Sequence, residues 1–484
     1  MKAHPTAILV LFVACTALAA DAPSLEALTP TSGTGAEQVL DGNPTAGWRP
    51  DGDPSNEGLL LRLEEPTAFG SVGVRGCAGS PSAQVEVSVD GQPIGSPQAV
   101  TADKETVFSF SELAHRSLFV KLVAPAPAQA CIGEIQVSKG GKALALKPPR
   151  SVPGRIQASS VLTPADAYHP GFLFDGRTDF GWVEGAKGTG AGESITLTLD
   201  SPLELKGLEL WNGYQRSMDH FKKNARVAQL SLSVDGGAPI VLKVGDKSGP
   251  QVISLPAPVK GKTFKLTVDK AIAGSKYPDL VLSELRLVDA QGTLTVRTPD
   301  MEERRKVFQG ELANTSLAKV VDQSWYNRCA EQSGLVVRTL KLRSNHTFVF
   351  YDNTQGEGDP DKGVDESKEV LDGAWVVKKS AKPWTAIELY GRRHVIRTTT
   401  GWVPYGDVEE KSTESTRIGG GTLEIARVAD LDEKAFQQLA AEWLGGVQGR
   451  SVGCLATAGH TYKELVAVDA LFVRGPAVTD LFSR

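Results

Sequence analysis

Two acidic turns, each followed by a tryptophan, are the parts of this sequence most suited to chemistry. One turn reads DGNPTAGW from Asp41 to Trp48, and the other reads DGRTDFGW from Asp175 to Trp182. The tryptophan stands seven residues after the aspartate in both. Each turn also has a late partner in an alternating apolar stretch, Glu134 for the first and Glu284 for the second. The matched pairs predict an internal repeat of one domain type.

The oxygen donors of these turns could bind calcium. Ca²⁺ takes about six to eight oxygens and tolerates irregular geometry. The predicted donors, besides backbone carbonyls, are Asp175, Thr178 and Glu284 in the second copy and Asp41, Thr45 and Glu134 in the first. The alternative is that each aspartate accepts hydrogen bonds from the N–H groups of its own turn, while each glutamate pairs with a nearby base.

Aromatic and polar residues after the second turn could bind a sugar. Sugars stack their C–H faces on aromatic rings, and their hydroxyls need directional partners. The predicted contact residues are Trp182, Glu184, Asn212, Tyr214, Asn224 and Arg226. The alternatives are that Trp182 plugs the end of a core, and that Asn212 with Gly213 only makes a turn.

Alternating apolar residues predict the strands that position these turns. Leu208 and Leu210 alternate with polar residues, as do Leu230, Leu232 and Val234. Period-two alternation is typical of half-buried strands in antiparallel sandwiches. The Pro-rich stretch 147–154 is predicted to be a stiff extended linker. We therefore expect domains at 22–146, 155–291 and 306–484, in accord with the roughly 150 residues that a domain usually has.

The third domain is predicted to be β-rich with some helix. Short strands are expected at 336–340, 347–350, 385–389 and 394–397, in a small antiparallel sheet or barrel. Phe436, Leu439 and Trp443 share a helical face, and Asp430 with Glu433 is spaced like a capping box.

The net charge argues against a nucleic-acid partner, and the N-terminus indicates an exported protein. The formal net charge is −5 over 484 residues, which argues against a nucleic-acid partner because phosphate binding needs a concentrated basic field. Residues 1–20 have the pattern of a signal peptide, with cleavage after Ala17-Leu18-Ala19 or, alternatively, lipidation at Cys15. No later stretch is apolar enough for a transmembrane helix.

The four cysteines beyond the signal region predict two disulfides. An even count outside the cytoplasm favours disulfides, and no C-x-x-C spacing suggests zinc or redox chemistry. Pairing by domain joins Cys77 to Cys131 and Cys329 to Cys454.

The repeated turns resemble those of the discoidin, or F5/8 type C, family of galactose-binding-like modules. The second copy further resembles the glycan-binding module of certain bacterial NAD glycohydrolase toxins. The residues that carry this are Phe174 to Gly176, Trp182 to Gly185, Gly190 to Glu193, Asn212 to Tyr214, Lys223 to Val227 and Ser283-Glu284. The resemblance implies two jelly-roll β-sandwiches with binding loops at one end, and in related modules such a turn often holds structural calcium. The first copy lacks an Asn-Gly-Tyr equivalent, and no NAD-cleaving domain is implied.

Three functions agree with these patterns. The first is a secreted or envelope-associated glycan-binding protein, mainly β, with two tandem discoidin-like sandwiches and a β-rich α+β C-terminal domain. The second is a cell-surface polymer hydrolase in which 306–484 is catalytic and the sandwiches target it. The third is a non-catalytic envelope component that binds proteins. No G-x-S-x-G, H-E-x-x-H or paired metal-ligand histidines favour an enzyme.

Overall fold

The computed structural model describes residues 22–484 except 314, 332–333, 357–363, 379, 401–411, 445–460 and 476–477. The described chain forms three successive sheets of eight strands each, which confirms the mainly β fold class. The signal region and Cys15 lie outside the described residues. None of the helices within these ranges has the length and apolar character of a membrane-crossing segment.

The first sandwich contains eight strands, and one long strand passes through both of its layers. These are β1 (Leu25–Pro30), β2 (Gly58–Gly76), β3 (Ala83–Val89), β4 (Gln92–Pro93), β5 (Gln98–Val100), β6 (Thr106–Leu122), β7 (Ile132–Lys139) and β8 (Lys142–Leu144). The early part of β2 pairs with β1 and its late part with β7, while β6 follows its whole length. The register shift after Arg62 separates the two layers.

The second sandwich repeats this arrangement. Its elements are β9 (Ser151–Ala158), α1 (Ala165–Tyr168), β10 (Trp182–Val183), β11 (Ser194–Asn212), α2 (Met218–Lys223), β12 (Arg226–Val234), β13 (Ile240–Lys243), β14 (Pro250–Ile272), β15 (Val281–Asp289) and β16 (Gly292–Arg297). The long strand β11 pairs with β9 early, with β15 late, and with β14 along its length. Alternate residues such as Leu197 and Leu199 are buried, as the period-two pattern predicts.

The predicted linker is partly wrong, because β9 begins inside it. Residues Ser151 to Pro153 pair in parallel with β16, so their backbone belongs to the sheet and is not a free connector. The Pro-rich composition obscured a strand that lies between β16 and β11. Pro153 is tolerated there because it pairs only with β16, and the pairing with β11 begins at Gly154.

The third domain is a meander that closes into a barrel. Its elements are α3 (Asp300–Leu312), β17 (Ser324–Glu331), β18 (Gly334–Leu342), β19 (Thr347–Gly356), β20 (Val364–Lys378), β21 (Thr385–Thr400), β22 (Ser412–Arg427), α4 (Glu433–Leu444), α5 (Tyr462–Ala467), β23 (Leu471–Gly475) and β24 (Val478–Phe482). Each strand pairs with the next, and Tyr326 and Ser483 exchange backbone hydrogen bonds of 2.7 and 2.8 Å across the closing seam. The predicted strands 385–389 and 394–397 are one strand, β21.

The apolar face predicted for α4 is buried, but its cap differs from the prediction. Phe436, Leu439 and Trp443 all lie in a cluster outside the barrel. The Oδ1 atom of Asp432 accepts the hydrogen bond from the Ala435 N–H at 2.7 Å. Asp430 pairs instead with Arg427.

One disulfide is present in the described chain. Cys77, just after β2, is bonded to Cys131, just before β7, with their Cα atoms 5.5 Å apart. Cys454 lies outside the described residues, so its pairing with Cys329 stays a prediction.

Candidate ligand site

The two repeated tryptophans occupy equivalent positions inside their sandwiches. The Trp48 indole N–H donates to the Ser32 carbonyl at 2.8 Å, and that of Trp182 donates to the Ser160 carbonyl at 2.9 Å. Both side chains have no exposed surface. The backbone of each tryptophan also pairs with the strand that carries the late glutamate. The internal repeat is therefore structural, and both indoles fill the end of a core.

The two aspartates cap their turns. Asp41 Oδ1 accepts from the Asn43 N–H at 2.7 Å, and Asp175 Oδ1 accepts from the Arg177 N–H at 2.8 Å. The following glycines, Gly42 and Gly176, have φ of 77° and 73°, a region that favours glycine. Backbone capping, one of the two roles considered for these residues, is thus present in both copies.

The two buried carboxyl groups of the second turn lie in surroundings that favour their protonated forms. Burial, and then repulsion by Asp175, raises the pKa of Glu284 well above its usual value. Burial raises the pKa of Asp175 to about 8, against the attraction of Arg177. The Oε2 atom of Glu284 is buried and has no hydrogen-bond partner in the described chain. Two adjacent carboxyl groups with an unused oxygen need either protons or a cation.

The first sandwich covers this turn and occupies two of its carbonyl oxygens. Thr29 Oγ1 donates to the Asp175 carbonyl at 3.1 Å, and Arg62 Nη2 donates to the Gly176 carbonyl at 3.1 Å. A cavity of about 160 Å³ remains beside them, and Glu284 lines it together with Asp175.

The remaining predicted calcium donors are only partly assembled. Thr178 lines a different cavity from the one beside Glu284. Within the described ranges, no three His, Cys, Asp or Glu side chains are placed to hold a metal ion. Calcium binding therefore stays a prediction.

In the first copy, the predicted calcium donors Asp41 and Glu134 lie close together, whereas Thr45 bonds within its own turn. Glu134 Oε2 accepts from the Gly42 N–H at 3.0 Å. Burial raises the pKa of Glu134 to about 7, and the nearby charge of Asp41 adds to the effect. Thr45 Oγ1 donates to Asn43 Oδ1 at 2.8 Å, within the same turn.

The six predicted glycan contacts lie together at one end of the second sandwich, but all are buried. The most exposed of them, Arg226, has 8% of its surface accessible. Its guanidinium bonds to Asp246 at 2.6 Å and to the Phe221 carbonyl at 2.9 Å. Asn212 joins two strands, since it both donates to and accepts from the backbone of Val227, at 2.8 and 2.9 Å.

The other members of this set also have internal partners. Asn224 donates to the His220 carbonyl at 2.8 Å, and Glu184 accepts from the Ala186 N–H at 2.7 Å. The Tyr214 ring lies 4.9 Å below the Arg216 guanidinium. These buried side chains therefore stabilise the conformation of the loop through internal contacts. Direct contact between any of them and a sugar stays a prediction, and it would require a buried group to become accessible.

A buried ion cluster, which sequence patterns did not reveal, joins the first sandwich to the barrel. Glu57 is fully buried and lies 2.7 Å from Lys341 Nζ and 2.8 Å from Arg343 Nε. Burial alone would raise the pKa of Glu57, but Arg343 and Lys341 outweigh it and lower the pKa to about 2. The partners are far apart in the chain, so no local spacing could have indicated them.

Comparison with known families identifies the second sandwich. Residues 149–288 match the family model described as the NAD glycohydrolase translocation F5/8 type C domain. This sandwich is therefore of the F5/8 type C class, as its motif residues indicated. Within that class, residues 149–288 are similar to the NAD glycohydrolase translocation domain, and the match does not extend to the first sandwich or the barrel. No curated protein matches the chain.

Solved structures with similar folds are distant. The tandem CBM32-1 and CBM32-2 domains of Clostridium perfringens ZmpB are 10% identical, with 54% of this chain and 92% of that chain covered and a TM-score of 0.23. The family 32 carbohydrate-binding module of C. perfringens NanJ, solved with galactose, is 12% identical, with 28% and 92% covered and a TM-score of 0.23. A fucolectin from striped bass (Morone saxatilis) serum is 12% identical, with 56% and 96% covered and a TM-score of 0.22. TM-scores this low do not support an inference about function.

Proposed function

We propose that this chain is an exported, non-catalytic carbohydrate-binding protein that recognises glycan at the loop end of its second sandwich. The observation that carries the proposal is the F5/8 type C match over 149–288, together with the polar network that fixes the loop between Asn212 and Arg226. A loop held rigidly on a sandwich is a common place for recognition.

Two further parts of the proposal concern calcium and export. A structural Ca²⁺ between Asp175 and Glu284 would neutralise two carboxyl groups whose pKa values are raised. Export is supported by the Cys77–Cys131 disulfide, because such bonds persist in oxidising compartments.

Glycan-array binding by the full-length chain tests the proposal. The array is probed with added Ca²⁺ and again with a chelator, at low and high ionic strength. We expect a defined set of neutral glycans to be bound at both ionic strengths, since salt weakens only adsorption by surface charge. A chain that binds no glycan in either Ca²⁺ condition would show the proposal to be wrong.

A further inference from the structure

A cavity of about 370 Å³ lies where the two sandwiches and the barrel meet. Its volume falls within the range of small-molecule sites, roughly 300–1,000 Å³. The second sandwich contributes the turn residue Asp179 and the loop residue Gln215. Arg216 Nε donates to the Asp179 carbonyl at 2.7 Å, which ties that loop to the turn. The loop end proposed for glycan recognition is therefore one wall of this cavity, and the other two domains supply the rest.

One arginine from each domain lines the cavity: Arg62, Arg177 and Arg343. Each guanidinium is already oriented by other bonds, to the Gly176 carbonyl, to Asp179 and to Glu57 respectively. Each also keeps donor capacity. Among the described residues, no hydrogen bond uses Nη1 of Arg62, Nη1 of Arg177 or Nη2 of Arg343. Fixed guanidinium donors with spare N–H groups suit ligand oxygens.

Charged groups of both signs line the cavity. Among the described lining residues, the three arginines are accompanied by the carboxylates of Asp179 and Asp372. Arg62 and Arg343 also pair with Glu26 and Glu57 outside the cavity, and Arg116 and Lys341 share those two carboxylates. Hydroxyl groups both donate and accept, so they can use guanidinium donors and carboxylate acceptors together.

Aromatic and apolar side chains complete the wall. Phe119 of the first sandwich and Tyr351 of the barrel both line the cavity, beside Leu60 of β2. Rings next to paired donors and acceptors match a sugar, which has apolar C–H faces and a rim of hydroxyls.

We infer that a neutral sugar residue binds in this three-domain cavity, held by Arg62, Arg177 and Arg343. The inference rests on the proposed carbohydrate function and places its contact surface between the domains. Recognition then needs all three domains, because each supplies one guanidinium.

Titration calorimetry on the full-length chain tests this inference. The probes are galactose, glucose, N-acetylglucosamine and lactose. Leu60→Trp places a large side chain in the cavity, whereas Leu113→Trp makes the same change at a residue that is 61% exposed and does not line it. We expect wild type and Leu113→Trp to bind a neutral sugar equally, and Leu60→Trp to bind at least tenfold more weakly.

A second variant covers the case in which Leu60→Trp fails to fold, as judged by circular dichroism. Asp372→Asn keeps the side-chain size and is expected to weaken neutral-sugar binding several-fold. The inference is overturned if wild type binds none of the four neutral sugars, or if both cavity variants bind as wild type does. If Leu60→Trp still binds glycans on the array, the proposed function holds, but the cavity is not its binding site. If the wild type binds no glycan on the array, both the proposed function and the cavity inference are wrong.

Discussion

Arg343 of the barrel donates from Nε to Oε1 of Glu57 in the first sandwich at 2.8 Å, and both side chains are buried. Lys341 lies 2.7 Å from the same oxygen. A buried carboxylate is stable only when it is paired, so these contacts exist only while the two domains are docked. The docking matters for function because Arg343 also lines the three-domain cavity.

Glu57→Gln is expected to destabilise the protein by about 3–5 kcal/mol, because it leaves Lys341 and Arg343 buried without their counterion. Urea unfolding measures the change. Glu65→Gln, at an exposed position of β2, the strand that begins one residue after Glu57, is the matched control and should stay within about 0.5 kcal/mol of wild type. Equal effects of the two substitutions would show that the buried cluster does not stabilise the docking.

Gly176→Ala is expected to destabilise the chain more than Gly42→Ala does. Both glycines have positive φ, so each alanine costs about 1–2 kcal/mol of backbone strain. A Cβ on Gly176 would lie 2.5 Å from Thr29 Oγ1, whereas one on Gly42 meets nothing within 4 Å. Thermal unfolding should therefore show an extra loss of roughly 1–3 kcal/mol for Gly176→Ala. Equal losses would mean that the two sandwiches are not packed at this turn.

Added Ca²⁺ is expected to raise the Tm more at pH 8 than at pH 5. Burial raises the pKa values of Asp175 and Glu284 in the folded state. Their protonation therefore stabilises the fold fully below the unfolded pKa of about 4, and this contribution is lost as the pH rises toward 8. A cation replaces the lost protons, so we expect a Tm increase of about 3–6 °C at pH 8.

Two variants check the source of that calcium effect by differential scanning calorimetry. Glu284→Gln should abolish the increase, and Glu204→Gln, at an exposed position of β11, should keep it. A Tm that does not respond to Ca²⁺ at pH 8 in wild type would contradict the calcium proposal.

Trp182→Ala is expected to lower the free energy of unfolding by about 3–5 kcal/mol, because the indole is fully buried in the core. Met218→Ala, at a residue 54% exposed on α2, serves as the control and should change it by less than about 0.5 kcal/mol. Chemical unfolding and sugar binding are measured on the same samples. Lost binding with unchanged stability would instead show that Trp182 is a stacking surface.

Local patterns in the sequence predicted most of the strands and the repeat. Alternation matches burial in the early part of β11, where Leu197 and Leu199 are buried and Thr198 between them is exposed, since neighbouring side chains point to opposite faces. At Leu208 and Leu210 the same alternation predicted a half-buried strand, but both faces of β11 are buried there. The spacing from Asp175 to Trp182 likewise indicated the shared turn. Errors of a few residues arose where a neighbouring group competed, as when Asp432 rather than Asp430 capped α4.

Exposure and contacts between domains could not be predicted in the same way. The polar character of Asn212 and Arg226 suggested a surface site, yet their partners on other segments hold both side chains inside. The ion pair of Glu57 with Arg343 joins residues 286 positions apart. Such contacts depend on how whole domains pack, and no single stretch of the sequence records that.

A crystal structure of the full-length chain with the best-bound neutral sugar is the most direct test of the central claim. The account predicts sugar density in the three-domain cavity, within hydrogen-bonding distance of Arg62, Arg177 and Arg343. Sugar bound only on an outer surface of either sandwich, with the cavity holding water, would contradict it.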